Sequence, residues 1–193
     1  MKPENEKWEG LTVGEVARRQ KKHPADAFLD LAVSDDLKTL FAAQGLHTAH
    51  PEILKHEATH ISLSDGGAHT RYQAANTWPT HFLAHWIRDE KLMSIEDGIY
   101  KMSALPAWIA GFRDRGILRE GMAADVIVFD LDKLGMTTGD PVYATDFPGG
   151  ERRLIQKATG YRYTIVNGVV TFEGDKCTNA LPGKVLRSYD MVG

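Results

Sequence analysis

The first part of the chain spaces its apolar and polar positions as an amphipathic helix does. Thr12 stands just before the first apolar positions, and Glu15 follows it by three residues. This is the spacing of a capping box, in which each side chain accepts a hydrogen bond from the other residue's backbone N–H. A helix is therefore predicted to begin after Thr12. Its apolar face is formed by Val13, Val16 and Ala17.

Three further helical segments are predicted before residue 60. His23-Pro24 interrupts the first helix and begins a second, because proline fits the first helical turn. A third short helix is predicted over 36–43, and another helical piece around Ile53 and Leu54. The apolar residues that repeat along the second helix are Ala27, Phe28, Leu31 and Ala32.

The pattern changes at Thr59 from helical to extended. Residues 60–64 form a short strand-like run that stops at Asp65, and Gly66-Gly67 permits tight turning directly afterwards. Asp65 is therefore predicted to lie at the carboxyl end of a strand.

Longer amphipathic helices follow this turn. One helix is predicted over 80–92, with apolar residues on one side and charged residues on the other. Ser94 is predicted to cap the next helix, which Pro106 is expected to break because proline lacks the backbone N–H. A further short helix around 108–109 is expected to end near Gly111. The apolar stripe of the helix after Ser94 is Ile95, Ile99 and Met102.

From Asp114 onward the chain reads as mostly extended. The apolar runs 126–129, 163–166 and 169–172 are rich in β-branched residues and are predicted to be strands. Asn167-Gly168 lies between the last two runs, and both residues tolerate the positive φ of a type I′ turn, so a β-hairpin is predicted there. The change of period predicts a domain boundary near residue 115.

Composition narrows the class of protein. Lys and Arg number 23 against 26 Asp and Glu, which gives a net charge of −3 without long blocks of one sign, so nucleic acid is not expected as a partner. No apolar run approaches the roughly 20 residues that cross a bilayer, and no membrane association is expected. The start of the chain lacks the apolar stretch of a secretory signal, and Cys177 is the only cysteine. A cytoplasmic protein is therefore expected.

The stretch around Asp65 is the best candidate for chemistry. In parallel barrels the carboxyl ends of the strands form the active-site face, so a carboxylate there could bind a metal or act as a general base. The alternative is an aspartate that caps the following turn. His69 lies four residues further on. Arg71 offers a fork of donors for a substrate carboxylate, or is a solvated loop residue.

The other histidines and Ser64 are weaker candidates. His81 and His85 stand four residues apart on one predicted helix and could chelate a metal, although their apolar neighbours favour a packing or rim position. No His-x-His or His-Glu-x-x-His pair is present, and Ser64 has no Gly-x-Ser-x-Gly context for a nucleophile.

Several stretches together resemble one family. Residues 64–69, 102–107, 165–168 and 182–187 look like motifs of the D-aminoacylase-like branch of the amidohydrolase superfamily, in the correct order. Residues 114–130 are the most specific stretch, since they resemble the passage by which these enzymes leave their barrel and begin a small β-sandwich. The resemblance covers nearly the whole chain.

The resemblance implies an α/β fold. It implies the last part of a metal-dependent (β/α)8 barrel over residues 1–115, followed by a small β-sandwich domain over residues 116–193. The metal would be zinc, as one or two ions, and would activate water to hydrolyse the amide of a small N-acylated amino acid, an N-acyl-D-amino acid being favoured. Asp65 matches the aspartate of the last barrel strand, a metal ligand that acts as general base and then general acid. His69 and Arg71 are expected to bind substrate.

This chain departs from the family's pattern in one respect. A full barrel takes about 250 residues, and the His-x-His of the first strand and the ligands of the middle strands have no counterpart here. We expect a fragment of a larger enzyme, in preference to a short protein that keeps the scaffold without the chemistry. Self-association or pairing with a missing amino-terminal half is expected, because part of a barrel leaves strand edges and apolar helix faces uncovered. The alternatives are a cyclic-amide hydrolase and a non-catalytic interaction module.

Overall fold

A computed structural model describes residues 2–41, 50–61, 70–71, 74–137 and 141–187 of the chain. The chain divides into two compact units, Met1–Thr48 and Ala49–Gly193. The predicted division at residue 115 falls within the second unit and stays a prediction.

The first unit is built from two helices, α1 (Val13–Gln20) and α2 (Pro24–Ser34), after a 3-10 turn at Pro3–Trp8. The predicted capping box is confirmed: the Glu15 N–H donates to Thr12 Oγ1 over 3.2 Å, and the Thr12 N–H donates to Glu15 Oε2 over 2.8 Å. The two helices bury a small apolar cluster. Its fully buried members are Val16, Ala17 and Ala27, with Trp8 and Leu11 packed against them.

The helix predicted over 36–43 is wrong for the residues described, 36–41. Asp36 and Leu37 have φ values of 54° and 59°, in the left-handed region that ends helices. The Leu37 N–H donates to Ala32 O over 2.8 Å and closes the end of α2. Residues 42 and 43 lie outside the described part of the chain.

The end of α2 is also tied to the start of the chain by a buried carboxylate. Asp35 is 0% exposed and accepts hydrogen bonds from the Lys2 backbone N–H, from Thr39 Oγ1 over 2.7 Å and from Asn5 Nδ2 over 3.4 Å. These bonds favour the ionised form, so the pKa of Asp35 lies below its ordinary value, the Lys2 N–H being the main cause. The ionised carboxylate therefore stabilises the first unit.

The second unit begins with three helices. The first, α3, is Pro51–Lys55. The second, α4, begins with the α-helical turn Trp78–His81 and continues as a π-helix over Phe82–Asp89. The third, α5, consists of Ile95–Ile99, a π-helical turn at Tyr100–Ala104, and Leu105–Ile109. The helix predicted over 80–92 thus begins at Trp78 and ends at Asp89. Ser94 caps α5 as predicted, since its Oγ accepts from the Asp97 N–H over 3.1 Å.

Pro106 does not interrupt the helical backbone as predicted, but the predicted short helix around 108–109 is present as Leu105–Ile109, with the proline in its first turn. The Leu105 N–H already donates to Tyr100 O, five residues back, so the ladder of i→i+4 bonds is interrupted just before the proline. Pro106 therefore removes no bond from a continuous α-helical ladder, and helical backbone continues to Ile109.

The rest of the second unit is antiparallel β structure. A four-stranded sheet has the order β1 (Val126–Phe129), β6 (Tyr161–Val166), β7 (Val169–Glu173) and β8 (Lys176–Cys177). Two small ladders join β2 (Gly135–Met136) to β5 (Ala158–Thr159) and β3 (Val142–Ala144) to β4 (Arg153–Ile155). The chain is thus of mixed helix and strand, while the (β/α)8 and β-sandwich architectures stay predictions.

The predicted hairpin at Asn167-Gly168 is confirmed. These residues have φ values of 48° and 80°, and they connect β6 to β7 with Val166 paired to Val169. The strand predicted over 60–64 lies mostly outside the described residues, because 62–69 are not described; His60 and Ile61 are not in a strand.

The core of the second unit joins α4 to the β-rich part. Phe82, Leu83, Ala84 and Ile87 of α4 pack with Leu134, which is 2% exposed. Arg88 strengthens this junction, because its Nη1 donates to Leu131 O over 3.1 Å and to Leu134 O over 2.6 Å. Helices and strands of this unit therefore share one core.

Candidate active site

Asp65 and His69 lie outside the described residues, but both flanks of their stretch are described. On one side, the Ile61 N–H donates to Lys101 O in α5 over 3.0 Å. On the other, Thr70 O accepts from the Leu154 N–H in β4 over 2.5 Å. The described residues on either side of 62–69 are thus bonded to α5 and to β4.

Arg71, the third predicted site residue, lies at the surface. Its side chain is 57% exposed, and its Nη1 lies 4.0 Å from Glu151 Oε2, at the limit of an ion pair. Such exposed pairs contribute little, typically about 0–1 kcal/mol. The guanidinium therefore remains available to an anion, and its role in substrate binding stays a prediction.

Lys101 is a buried group that sequence reasoning missed. It lies in the π-helical turn of α5 and is only 8% exposed. Its Nζ donates to His56 O over 2.6 Å and to Thr59 O over 2.8 Å. A lysine is rarely buried without partners, and here two main-chain carbonyls of the segment before Asp65 supply them.

The most specific stretch of the family resemblance, 114–130, forms a polar network with the hairpin. Arg115 donates to both Asp114 and Asp125, with Nη1 2.5 Å from Asp125 Oδ2, and its side chain is 13% exposed. The other oxygen of Asp125 accepts from the Asn167 N–H over 2.8 Å. Asn167 Nδ2 in turn donates to Pro182 O over 2.8 Å. Stretches that the sequence separates therefore meet in space.

The charges within this network support each other. Hydrogen bonds from Arg115 are the main cause that lowers the pKa of Asp114, and hydrogen bonding to Asp114 is the main cause that raises the pKa of Arg115. These groups are thus held ionised and occupied with one another. They stabilise the connection between α5 and the sheet.

Several cavities in the described part of the chain lie beside this network. One, of about 580 Å³, runs between α5 and β1 and is mostly apolar, with Leu83, Met102, Ile127 and Phe129 among its lining residues. Another, of about 540 Å³, is lined by His60 together with Ser103, Arg115 and Asp125. His60 therefore places the segment before Asp65 at the edge of a cavity.

His81 and His85, the pair weighed as a possible chelate, stack on each other. Their ring centroids are 4.9 Å apart at an interplanar angle of 23°, and His85 also makes an edge contact with Trp86. Partial burial of the imidazole lowers the pKa of His81, and the nearby charge of His85 lowers it further, although the residue as a whole remains exposed. The stacking matches the predicted packing or rim position.

The described residues do not form a metal centre by themselves. Within 2–41, 50–61, 70–71, 74–137 and 141–187, no three His, Cys, Asp or Glu side chains are grouped so that they could hold an ion. None of the helices in this part of the chain has both the length and the apolar character needed to span a bilayer.

Comparison with known proteins identifies relatives. The chain is 31% identical over 139 residues to an N-acyl-D-glutamate deacylase of Alcaligenes xylosoxydans xylosoxydans, covering 70% of this chain and 25% of that protein. It is 30% identical over 142 residues to an N-acyl-D-aspartate deacylase of the same organism, covering 72% and 26%. The chain thus spans about a quarter of the length of these curated relatives.

A solved structure shares the fold. The N-acyl-D-glutamate deacylase from Bordetella bronchiseptica, complexed with zinc and a phosphonate inhibitor that mimics the tetrahedral intermediate, aligns with a TM-score of 0.55 at 22% identity, over 95% of this chain and 35% of that chain. The model of the amidohydrolase family matches residues 3–172. Since this match takes in most of both compact units, the chain belongs to the amidohydrolase family.

Proposed function

We propose that this chain is the carboxy-terminal part of a zinc-dependent amidohydrolase that removes the acyl group from an N-acyl-D-amino acid. The single observation that carries the proposal is the family match over residues 3–172, with relatives named as deacylases of N-acylated D-glutamate and D-aspartate. Those relatives favour a deacylase over a cyclic-amide hydrolase. Family membership implies a barrel-type fold, and residues 1–115 are assigned to the end of that barrel and 116–193 to a β-sandwich.

Asp65 is the catalytic residue in this proposal. The oxygen of a water molecule forms a bond to the acyl carbon, and the C–N bond then breaks. Asp65 accepts the proton of the attacking water and returns it to the leaving nitrogen, as a general base and then a general acid. Zinc, when bound, would lower the pKa of its water to about 7, so that hydroxide is available at neutral pH.

Substrate binding is assigned to His69 and Arg71. Both follow Asp65 by a few residues, and the exposed guanidinium of Arg71 is suited to the carboxylate of an amino acid. Asp65 is also assigned as a metal ligand. The remaining ligands are assigned to another segment, because the sequence has no counterpart of the family's His-x-His strand.

Exposed apolar side chains support the proposal that a second segment packs against this chain. Large apolar side chains of α5, the following loop and β1 face solvent, among them Trp108 at 65%, Leu118 at 77% and Ile127 at 56% exposure. Contiguous exposed apolar surface usually marks an interface. Self-association or pairing with the missing part of the barrel would cover it.

A complementation assay tests the proposal. The chain is co-expressed with an Alcaligenes N-acyl-D-glutamate deacylase from which the matching quarter has been removed, and zinc and N-acetyl-D-glutamate are supplied. Release of D-glutamate is expected from the pair and from neither part alone. A zinc-loaded, stoichiometric pair without turnover would contradict the proposed activity.

A further inference from the structure

The segment 56–61 is attached to the π-helical turn of α5 at three points, all on one residue. Lys101 Nζ bonds His56 O and Thr59 O, and Lys101 O accepts from the Ile61 N–H. A hydrogen bond that involves a charged group is roughly twice as strong as a neutral one. The buried side chain and the backbone carbonyl of Lys101 thus hold the six residues 56–61 against α5.

The carbonyl of Lys101 is available because of the next turn of the same helix. In the π-helical register, the residue five positions after Lys101 would donate to that carbonyl, and this residue is Pro106, which has no N–H. The Ile61 N–H takes the place of the missing donor. The π-helical turn and the proline together therefore create an acceptor aimed away from the helix.

This arrangement stands close to the proposed site along the chain. Asp65 follows Ile61 by four residues, a reach of at most about 14 Å even for fully extended chain. Enzymes need catalytic groups held within a fraction of an ångström, and this depends on residues that do not touch substrate. We propose that Lys101, with Pro106, is a positioning residue of this enzyme that fixes the segment 56–61 and thereby the approach to Asp65. The role for Asp65 rests on the proposed function; the anchoring of 56–61 does not.

Hydrogen exchange in the intact chain tests the anchor directly. The Ile61 amide is expected to exchange at least about tenfold faster in Lys101→Met, which keeps the apolar stem and removes the ammonium. Lys101→Arg, which retains donors, is expected to recover part of the protection. Lys91→Met, at an exposed lysine after α4, is the matched control and is expected to leave Ile61 unchanged.

Pro106→Ala separates anchoring from general loss of stability. Alanine restores an N–H that competes for Lys101 O, so Ile61 is expected to exchange faster while Leu83 and Ile87 in the core of α4 do not. The anchor is refuted if Ile61 shows no protection in the unchanged chain. It is also refuted if Lys101→Met and Pro106→Ala speed exchange at Ile61 no more than in the core.

The complemented enzyme tests the consequence for catalysis. Lys101→Met is expected to lower kcat at least about tenfold with KM changed less than about twofold, and Lys101→Arg to restore part of kcat. An unchanged kcat in Lys101→Met would refute the positioning role. If the unsubstituted pair is itself inactive, the proposed function and the link to Asp65 fail, and the exchange results still decide whether Lys101 anchors the segment.

Discussion

Two glycines of the β-rich part allow the loss of stability caused by a glycine-to-alanine substitution to be predicted from the structure. Gly160 joins β5 to β6 with φ of 88°, and Gly168 closes the hairpin with φ of 80°. A Cβ at Gly168 would meet nothing closer than 3.9 Å, whereas a Cβ at Gly160 would lie 2.6 Å from Leu134 N and 2.8 Å from Leu134 Cα. The two sites therefore share the conformational strain and differ in steric overlap.

The structure predicts different losses of unfolding free energy for alanine at the two positions. A left-handed backbone costs a residue with a Cβ about 1–2 kcal/mol, which is the whole effect expected for Gly168→Ala. Overpacking adds about 1–3 kcal/mol, so Gly160→Ala is expected to lower the free energy of unfolding by about 2–5 kcal/mol. The clash falls on backbone atoms next to Leu134, which is 2% exposed, and these cannot yield without moving the core.

Urea unfolding followed by the fluorescence of Trp86, which packs against this core, measures both variants. The Gly160→Ala midpoint is expected to fall clearly below that of Gly168→Ala, with the same slope. Equal midpoints would refute the close approach between Gly160 and Leu134 and, with it, the way in which the structure joins α4 to the sheet.

Three further outcomes are expected. Asp35→Asn lowers the stability of the first unit at neutral pH. Because the folded pKa of Asp35 is depressed, its contribution to stability is present above the unfolded pKa of about 3.9 and is lost as pH falls through the folded pKa. Circular dichroism should therefore show a flatter acid transition in the variant. Thr12→Ala removes the cap of α1 and costs about 1 kcal/mol in urea unfolding of that unit, whereas Thr178→Ala in the second unit leaves it unchanged. The chain alone, given zinc and an N-acyl-D-amino acid, shows negligible release of amino acid; sustained turnover would contradict its dependence on other ligands.

Local chemistry made much of the secondary structure predictable. The cap at Thr12, the cap at Ser94 and the Asn167-Gly168 turn depend on residues within three or four positions, and all are confirmed. The helix predicted over 36–43 failed because Asp36 and Leu37 adopt left-handed backbone, which is uncommon for leucine and which helical spacing does not reveal.

The π-helical turn of α5 could not be predicted from spacing. An α-helical period placed Ile99 in the apolar stripe, yet Ile99 is 37% exposed and Lys101 only 8%. The burial of Lys101 depends on carbonyls more than forty positions away, which helical spacing does not reveal. Ile95 and Met102 of the predicted stripe do pack against the core. Spacing therefore predicted part of the buried side of α5, and tertiary contacts decided the burial of Lys101.

The candidate site was predictable only through resemblance. Composition and spacing left Asp65 open between a catalytic carboxylate and a turn cap, and the family motif around it gave the hydrolase hypothesis. The structure adds the attachment of both flanks, at Ile61 and at Thr70, which no local pattern indicated. The roles of Asp65, His69 and Arg71 stay predictions.

The central claim is that Asp65 transfers the proton in amide hydrolysis, and one substitution tests it most directly. In the zinc-loaded complemented enzyme, Asp65→Asn is expected to lower kcat at least about a hundredfold, while the control Asp175→Asn, an exposed carboxylate in the loop before β8, is expected to retain full activity. Zinc content measured on the same samples shows whether Asp65 also binds the metal. Full activity in Asp65→Asn would contradict the account.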